Sequence, residues 1–189
     1  LQTRDSESLQ SNLSGILSKA ADLLNAEIVS IYKASGTSPQ LVQYMISPDT
    51  LTGLLPERLS SEDLSFITHP LLWKSDRPAI TLLQRAAMQA GFKYLVTLPL
   101  GQQSAKFGLF VAGSRQHAPV PNAQEVSQII AAHITGMMQD KIAINNLRSH
   151  ATQIKQVIKI QNEIITNLEE GVIILAPDLT VAEMNPAAE

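Results

Sequence analysis

A repeat of apolar residues every three and a half positions, sustained from Asn122 to Leu168, constrains this chain more than anything else in it. Steps of four then three residues meet Val126, Ile130, His133, Met137, Asp140, Ile144, Leu147, Ala151, Ile154, Ile158, Gln161, Ile165 and Leu168, and ten of these thirteen are apolar. The stretch contains no proline and one glycine, Gly136. The pattern predicts a single helix, roughly 70 Å long at about 1.5 Å per residue. It also predicts supercoiling against a partner, because one helix cannot hide a stripe of that length alone. A rod of this kind connects things, and the remaining residues say what it connects.

Those residues can build a core. The 189-residue chain is 44% hydrophobic and 16% charged, far from the balance of a disordered tail. Its net charge is -3 and its basic residues are scattered, so it has no electrostatic footprint for nucleic acid. With no cysteine it can form neither disulfides nor thiolate metal sites, which fits a reducing cytoplasm. No run approaches the ~18 apolar residues of a membrane span, and no signal peptide is visible. The expected location is therefore cytoplasmic. The chain opens on Leu1 and stops at Glu189 in mid-pattern, so it is expected to be a piece of a larger protein.

In chain order, Asp5 to Asn25 reads as a first helix, with Leu9, Leu13, Ile16, Ala20 and Leu23 at heptad spacing and Leu17 and Leu24 broadening the stripe. This stripe is expected to pack beside the long helix, the alternative being that it covers only its own sheet. From Ala26 the period changes to two, predicting a strand that a Gly-containing link at 35–39 joins to a second strand, Gln40 to Ser47. Residues 48–78 are punctuated by five turn-formers, Pro48, Gly53, Pro56, Pro70 and Pro78, and predict a long binding loop or lid with a short helix at 61–68. Ala79 and Ile80 read as a brief strand, and Thr81 with Gln84 as the capping box of a helix that Gly91 ends. Phe92 to Leu100 and Lys106 to Gly113 are the clearest strands, joined by a hairpin link at 101–105; Pro99 is tolerable only at an edge or bulge. Strand runs bracketed by helices predict an α+β domain with an antiparallel sheet flanked by the terminal helices.

The stretch YLVTLPLGQQSAKFGLFVAG, with Pro99 and Leu100 closing one apolar strand and Gly108 opening the next, resembles the central hairpin of GAF domains. The resemblance covers residues 5 to about 140 in element order. It implies a ligand pocket between the sheet and the insert at 51–90, with Tyr32, Tyr44, His69, Trp73, Arg77, Arg85 and Phe92 as lining candidates. Each has a plainer role open to it: Trp73 as a core anchor, Arg77 as a solvated loop charge. The Asn-Lys-Phe-Asp-Glu signature of cyclic-nucleotide-binding members is absent, because Lys106 and Phe107 lead into Gly108 and Leu109. Covalent bilin attachment is excluded for want of cysteine, haem ligation by His69 or His117 has nothing in its favour, and the cofactor is unknown.

A second resemblance lies at the other end. LEEGVIILAPDLTVAEMNPAAE is similar to the opening of a PAS domain, with Glu170, Gly171, Val172, Ile174, Asn185 and Glu189 where that pattern expects them. Asp178-Leu179 stands where the family often has Asp-Gly. So few strands cannot fold alone, so these residues are expected to be disordered or held by something foreign. The division expected is a GAF-like domain at 1–140, a coiled-coil linker at 141–168 and a truncated PAS start at 169–189.

That order resembles the sensory half of bacterial signalling proteins, sensor histidine kinases of two-component systems first, then cyclic-diguanylate enzymes and transcription regulators. It implies a sensory or regulatory module that is not itself an enzyme, forms a homodimer through its terminal helices and takes an unidentified small molecule. The rival is a structural dimerisation module that binds nothing. Catalytic motifs are missing: no phosphate loop, no Gly-x-Ser-x-Gly, no His-Glu-x-x-His, and the four histidines have no metal spacing. His150 lacks the acidic residue and proline that should follow a phosphoacceptor histidine. Because two copies of Asp140 would repel across a dimer axis, the first third of the long helix is expected to turn Ile129, Ile134 and Met138 toward its own sheet, the alternative being that His133 and Asp140 are polar layers that let the rod switch register. The dimer seam proper is then Ile144, Leu147, Ala151, Ile154, Ile158, Gln161, Ile165 and Leu168, with Gln161 as its polar layer.

Overall fold

Tyr94–Leu100 and Gly108–Ser114 carry apolar residues at consecutive positions, the mark of strands covered on both faces. In the computed structural model, which describes residues 2–34, 40–60, 65–101 and 108–188, they are neighbours inside a six-stranded antiparallel sheet. The elements are α1 (Gln2–Leu24), β1 (Ile28–Ala34), β2 (Leu41–Ser47), β3 (Arg58–Leu59), β4 (Leu71–Lys74), α2 (Leu82–Gln89), β5 (Tyr94–Leu100), β6 (Gly108–Ser114), α3 (Ala123–Asn167), β7 (Ile173–Leu175) and β8 (Val181–Met184). Strand order is β3-β2-β1-β6-β5-β4. The fold is α+β, with the long C-terminal helix the sequence requires. The chain divides into two compact units, Leu1–Met138 and Gln139–Glu189.

In the first unit the period-two alternation of the strands sorts side chains into two cores. Val29, Ile31, Tyr94, Val96, Leu98, Leu100, Phe110 and Ala112 face α1 and the base of α3. Ile28, Tyr32, Leu41, Leu95, Leu109 and Val111 face the insert, under Leu55, Leu59, Ile67, Trp73, Leu83, Ala87 and Phe92. The stripe of α1 is spent here. Leu13, Leu17 and Leu24 are fully buried, each contributing on the order of 2 kcal/mol by transfer. They share this core with Ile130, Ala131, Ile134 and Met138 of α3. Leu23, expected on the seam, is instead 60% exposed, because the buried rows follow Leu13, Leu17, Ala20 and Leu24. Tyr94 clamps the end of α1 by donating its hydroxyl to the Leu24 carbonyl at 2.7 Å, and burial pushes its pKa up to about 12.

Three readings of the insert need correction or completion. Ala79 and Ile80 form no strand; Leu71–Lys74 does, pairing with β5, and Arg58–Leu59 pairs with β2. Both were hidden by the flanking prolines. The expected helix at 61–68 lies outside the described residues over 61–64, as do the hairpin link at 35–39 and, over 102–105, the link at 101–105. The capping box forms as spelled: Thr81 Oγ1 accepts from Gln84 N at 3.2 Å, and Gln84 Oε1 from Thr81 N at 3.2 Å. Pro99 is accommodated because β4 reaches only Thr97, leaving the proline's missing donor on an unpaired side.

One ion pair closes the sheet where β1 begins and β6 ends. Glu27 accepts the Arg115 backbone N–H at 3.2 Å and the Arg115 guanidinium on both carboxylate oxygens. That guanidinium holds the Glu27 carboxyl below its usual value of 4.5, with desolvation opposing. A depressed folded-state pKa gives stability present above the ordinary glutamate range and lost as pH falls through the folded value. Thermal melts between about pH 6 and about pH 3 should therefore show a destabilisation that Glu27→Gln removes.

The second unit corrects the expectation of disorder in residues 169–189. Ile173–Leu175 and Val181–Met184 pair as an antiparallel hairpin. Its tight end has Leu179 at φ 66°, a left-handed position that disfavours a branched side chain, stabilised by Asp178 Oδ1 accepting from Thr180 N (3.2 Å) and Oγ1 (2.7 Å). Glycine at this position would carry no such penalty. Leu179→Gly is expected to stabilise the hairpin by about 1 kcal/mol, read as slower amide exchange at Ala176, whose N–H bonds the Thr180 carbonyl.

Candidate functional site

The seven candidate pocket residues do not converge. Tyr32, Trp73 and Phe92 lie in the core between sheet and insert. Tyr32 donates its hydroxyl to the Pro56 carbonyl at 2.7 Å, tying β1 to the insert, and burial pushes its pKa well up. Trp73 shares its indole N–H between the carbonyls of Arg77 (3.2 Å) and Pro78 (3.3 Å). Tyr44 packs against the opposite core, with Lys33 Nζ 5.4 Å from its ring centre. The side chains of His69, Arg77 and Arg85 are exposed, and Arg77 contributes its backbone carbonyl.

The sequence reading passed over the polar residues of this face. Ser30 alternates with Ile28 and Tyr32; its hydroxyl donates to the Met45 carbonyl at 2.8 Å and accepts from Gln43 Nε2 at 3.1 Å. Across the sheet, Val111 stands between Ser30 and Thr97 in register. Thr97 is 3% exposed. Among the described residues no charged side chain is buried. Nothing in the one-dimensional pattern marks such residues, because their meaning depends on which strands become neighbours. Among the described residues no group of His, Asp and Glu side chains converges on a metal-sized site. No helix of the described residues is long and apolar enough to cross a membrane.

The other candidate is the surface of α3. Its first part turns Ile130, Ala131, Ile134 and Met138 into the core, as expected for Ile134 and Met138; Ile129, expected with them, is 72% exposed one position off the buried row. His133 and Asp140 face solvent. From Ile142 to Leu168 every residue except the half-buried Ile165 is exposed, and the helix runs to Asn167 without a break at Asn145. At 100° per residue Ile144, Leu147, Ala151, Ile154, Ile158, Gln161, Ile165 and Leu168 fall within an arc of about 120°. Val157 and Ile164 widen it on one flank. His150, Gln153, Ile154, Val157 and Ile158 line a shallow groove there. The opposite face carries the Lys159–Glu163 ion pair at 3.5 Å. The helix thus carries an apolar front that is uncovered in the single chain, with Ile142 and Ile160 also exposed on the far side.

No protein-family model matches the chain, and no curated protein matches it in sequence. Solved structures match its fold. A domain assigned to a two-component sensor histidine kinase of Sinorhizobium meliloti 1021 has TM-score 0.59 at 15% identity, over 74% of this chain and 97% of that one. The GAF domain region of a Geobacter sulfurreducens PCA protein has TM-score 0.59 at 12% identity, over 72% and 97%. The phycoerythrobilin-bound GAF domain of a cyanobacterial phytochrome has TM-score 0.56 at 17% identity, over 71% and 87%. At these identities the likeness is one of fold, and the fold is that of GAF domains.

Proposed function

We propose that the chain is the sensory or regulatory module of a multidomain signalling protein, pairing with a second copy along α3 and passing a conformational bias down that helix. The observation that carries this reading is the uncovered apolar stripe from Ile144 to Leu168 on a helix rooted in the sheet's core through Ile130, Ile134 and Met138. Ile144, Ile158 and Ile165 at three of the four alternate core positions, with Leu147 and Leu168 among the others, lean toward two strands, and the polar Gln161 in the other set, beside Ile154, would fix the register. A shift in how the sheet packs on Ile130 and Ile134 would move the root of the rod, and a small rotation or register change would carry it onward. The parent we infer is a sensor histidine kinase, by analogy of fold and of domain order, residues 1–140 sensing, 141–168 coiling and 169–189 opening a PAS domain. The chain itself is read as regulatory and not as an enzyme.

The site facing the insert would receive an uncharged small molecule, since Tyr32, Trp73 and Phe92 offer apolar walls and Ser30, Gln43 and Thr97 offer only neutral hydrogen-bonding groups. His69, Arg77 and Arg85 could join such a site only if the insert rearranged, and Tyr44, packed against the opposite core, lies outside it. A second reading has a specific observation in its favour: the core over this face is filled by its own side chains, which suits a dimerisation module that binds nothing.

Sedimentation equilibrium tests the pairing. The expected mass is twice 20.5 kDa, and a single-chain mass at every concentration overturns it. Emission from Trp73, the sole tryptophan, separates the two readings of the pocket. A shift on titration with cell-extracted small molecules supports sensing, and a spectrum that never moves supports the structural module.

A further inference from the structure

Asn185 is 2% exposed, and its side chain spends every hydrogen-bonding group on backbone. Oδ1 accepts from Val172 N at 2.7 Å, on the connection into β7. Nδ2 donates to the carbonyls of Glu170 (2.9 Å), Ile165 (3.2 Å) and Leu168 (3.4 Å). The Asn185 backbone N–H adds a bond to the Val172 carbonyl at 3.1 Å, and its carbonyl accepts from Ala188 N at 2.9 Å. The last carbonyls of a helix have no partner within it, so one amide both caps the end of α3 and anchors the strand that follows. Gly171 allows the close approach: a Cβ there would sit 3.1 Å from Ala188 Cα.

We propose that Asn185 is a mechanical joint, making the last turn of α3 and the β7–β8 hairpin move together. The inference deepens the relay reading by saying where the motion of the rod would arrive, and rests on that reading for its purpose. The coupling itself is a property of residues 165–188. Only a carboxamide suits the position, because the same group must accept from an N–H on one side and donate to carbonyls on the other.

Amide exchange in the whole chain tests this. Asn185→Ala removes all four side-chain hydrogen bonds and should speed exchange at least about tenfold, the effect of losing one buried hydrogen bond. The speeding should reach Leu168, whose N–H bonds the Ile165 carbonyl, and Ala176 at the far end of the hairpin together. Asn185→Asp keeps an acceptor for Val172 but sets a carboxylate against three carbonyl oxygens, and should disturb both places at least as much as alanine does. Thr166→Gly, which loosens the last turn of the helix, should speed exchange at Ala176 in the parent chain and add nothing further in Asn185→Ala. Exchange in β5 and β6 should stay unchanged in all three, which shows that the first unit remains folded. Asn185→Asp behaving like the parent, or the effects of Thr166→Gly and Asn185→Ala simply adding, would overturn the joint. A monomeric chain with these couplings intact would instead overturn the relay and leave the joint standing.

Discussion

Ile154→Asp is expected to leave the chain monomeric at concentrations where the parent sequence is paired. Ile154 lies near the middle of the seam and is 60% exposed in the single chain, so the substitution takes nothing from the packing of one copy. In a pair it would set two carboxylates against each other in an apolar layer. An uncompensated buried charge costs about 3 to 5 kcal/mol, and at 1.4 kcal/mol per tenfold the dissociation constant should rise roughly a thousandfold. Sedimentation of parent and variant side by side reads the result, with the melt of the first unit unchanged as evidence that association alone was lost. Glu163→Gln, on the ion-paired opposite face, should leave association as it was. If parent and variant are both monomers, no pair existed to break.

Gly108→Ala is expected to destabilise the first unit by about 3 kcal/mol, at the upper end for overpacking a filled site. A Cβ at Gly108 would lie 2.0 Å from the Tyr32 carbonyl oxygen and 3.1 Å from its carbon. Both are backbone atoms of the neighbouring strand, so no side chain can swing aside. Gly108 pairs with Lys33 on one side and Leu100 on the other, so separating β6 from β1 disturbs the centre of the sheet. At 2–4 °C per kcal/mol for a domain of this size the midpoint should fall by roughly 10 °C. Gly136→Ala should do the opposite, raising stability by up to about 1 kcal/mol, because a Cβ there meets nothing within 4 Å and alanine favours the helix. An unmoved midpoint for Gly108→Ala would mean that β1 and β6 can separate at that point without cost.

Gly108 also shows how far the sequence could be read. Its place at the head of an apolar strand was legible, and so were the flanking strands, because consecutive apolar residues bounded by turns have few other folds open to them. The capping box at Thr81 and Gln84 was legible for the same local reason. What could not be read is that Gly108 is required by the Tyr32 carbonyl, 76 residues away in the chain, since 108 − 32 = 76. The pocket candidates had this weakness in a stronger form. They were chosen by residue type within the insert, and type does not say which face of which strand a side chain will take. So Tyr32, Trp73 and Phe92 met in one core, Tyr44 went to the other, and His69, Arg77 and Arg85 went to solvent. Ser30, Gln43 and Thr97, the polar residues of that face, were invisible because an isolated polar residue in an apolar strand looks like a solvent-facing one.

The sequence by itself determined the long helix, the antiparallel α+β plan and the turning of α3 into its own sheet at Ile134 and Met138. These rest on periodicity and on local backbone chemistry, which act over a few residues and are written in order along the chain. Only the tertiary structure decided which apolar rows are used up inside the first unit and which remain uncovered. Burial is a property of neighbours: Leu13 and Ile154 are both greasy residues on helices, yet one is sealed against Phe110 and its companions and the other faces water. It also decided that Asn185 reaches back to the end of α3, a set of bonds spanning up to twenty residues that no pattern along the chain could specify.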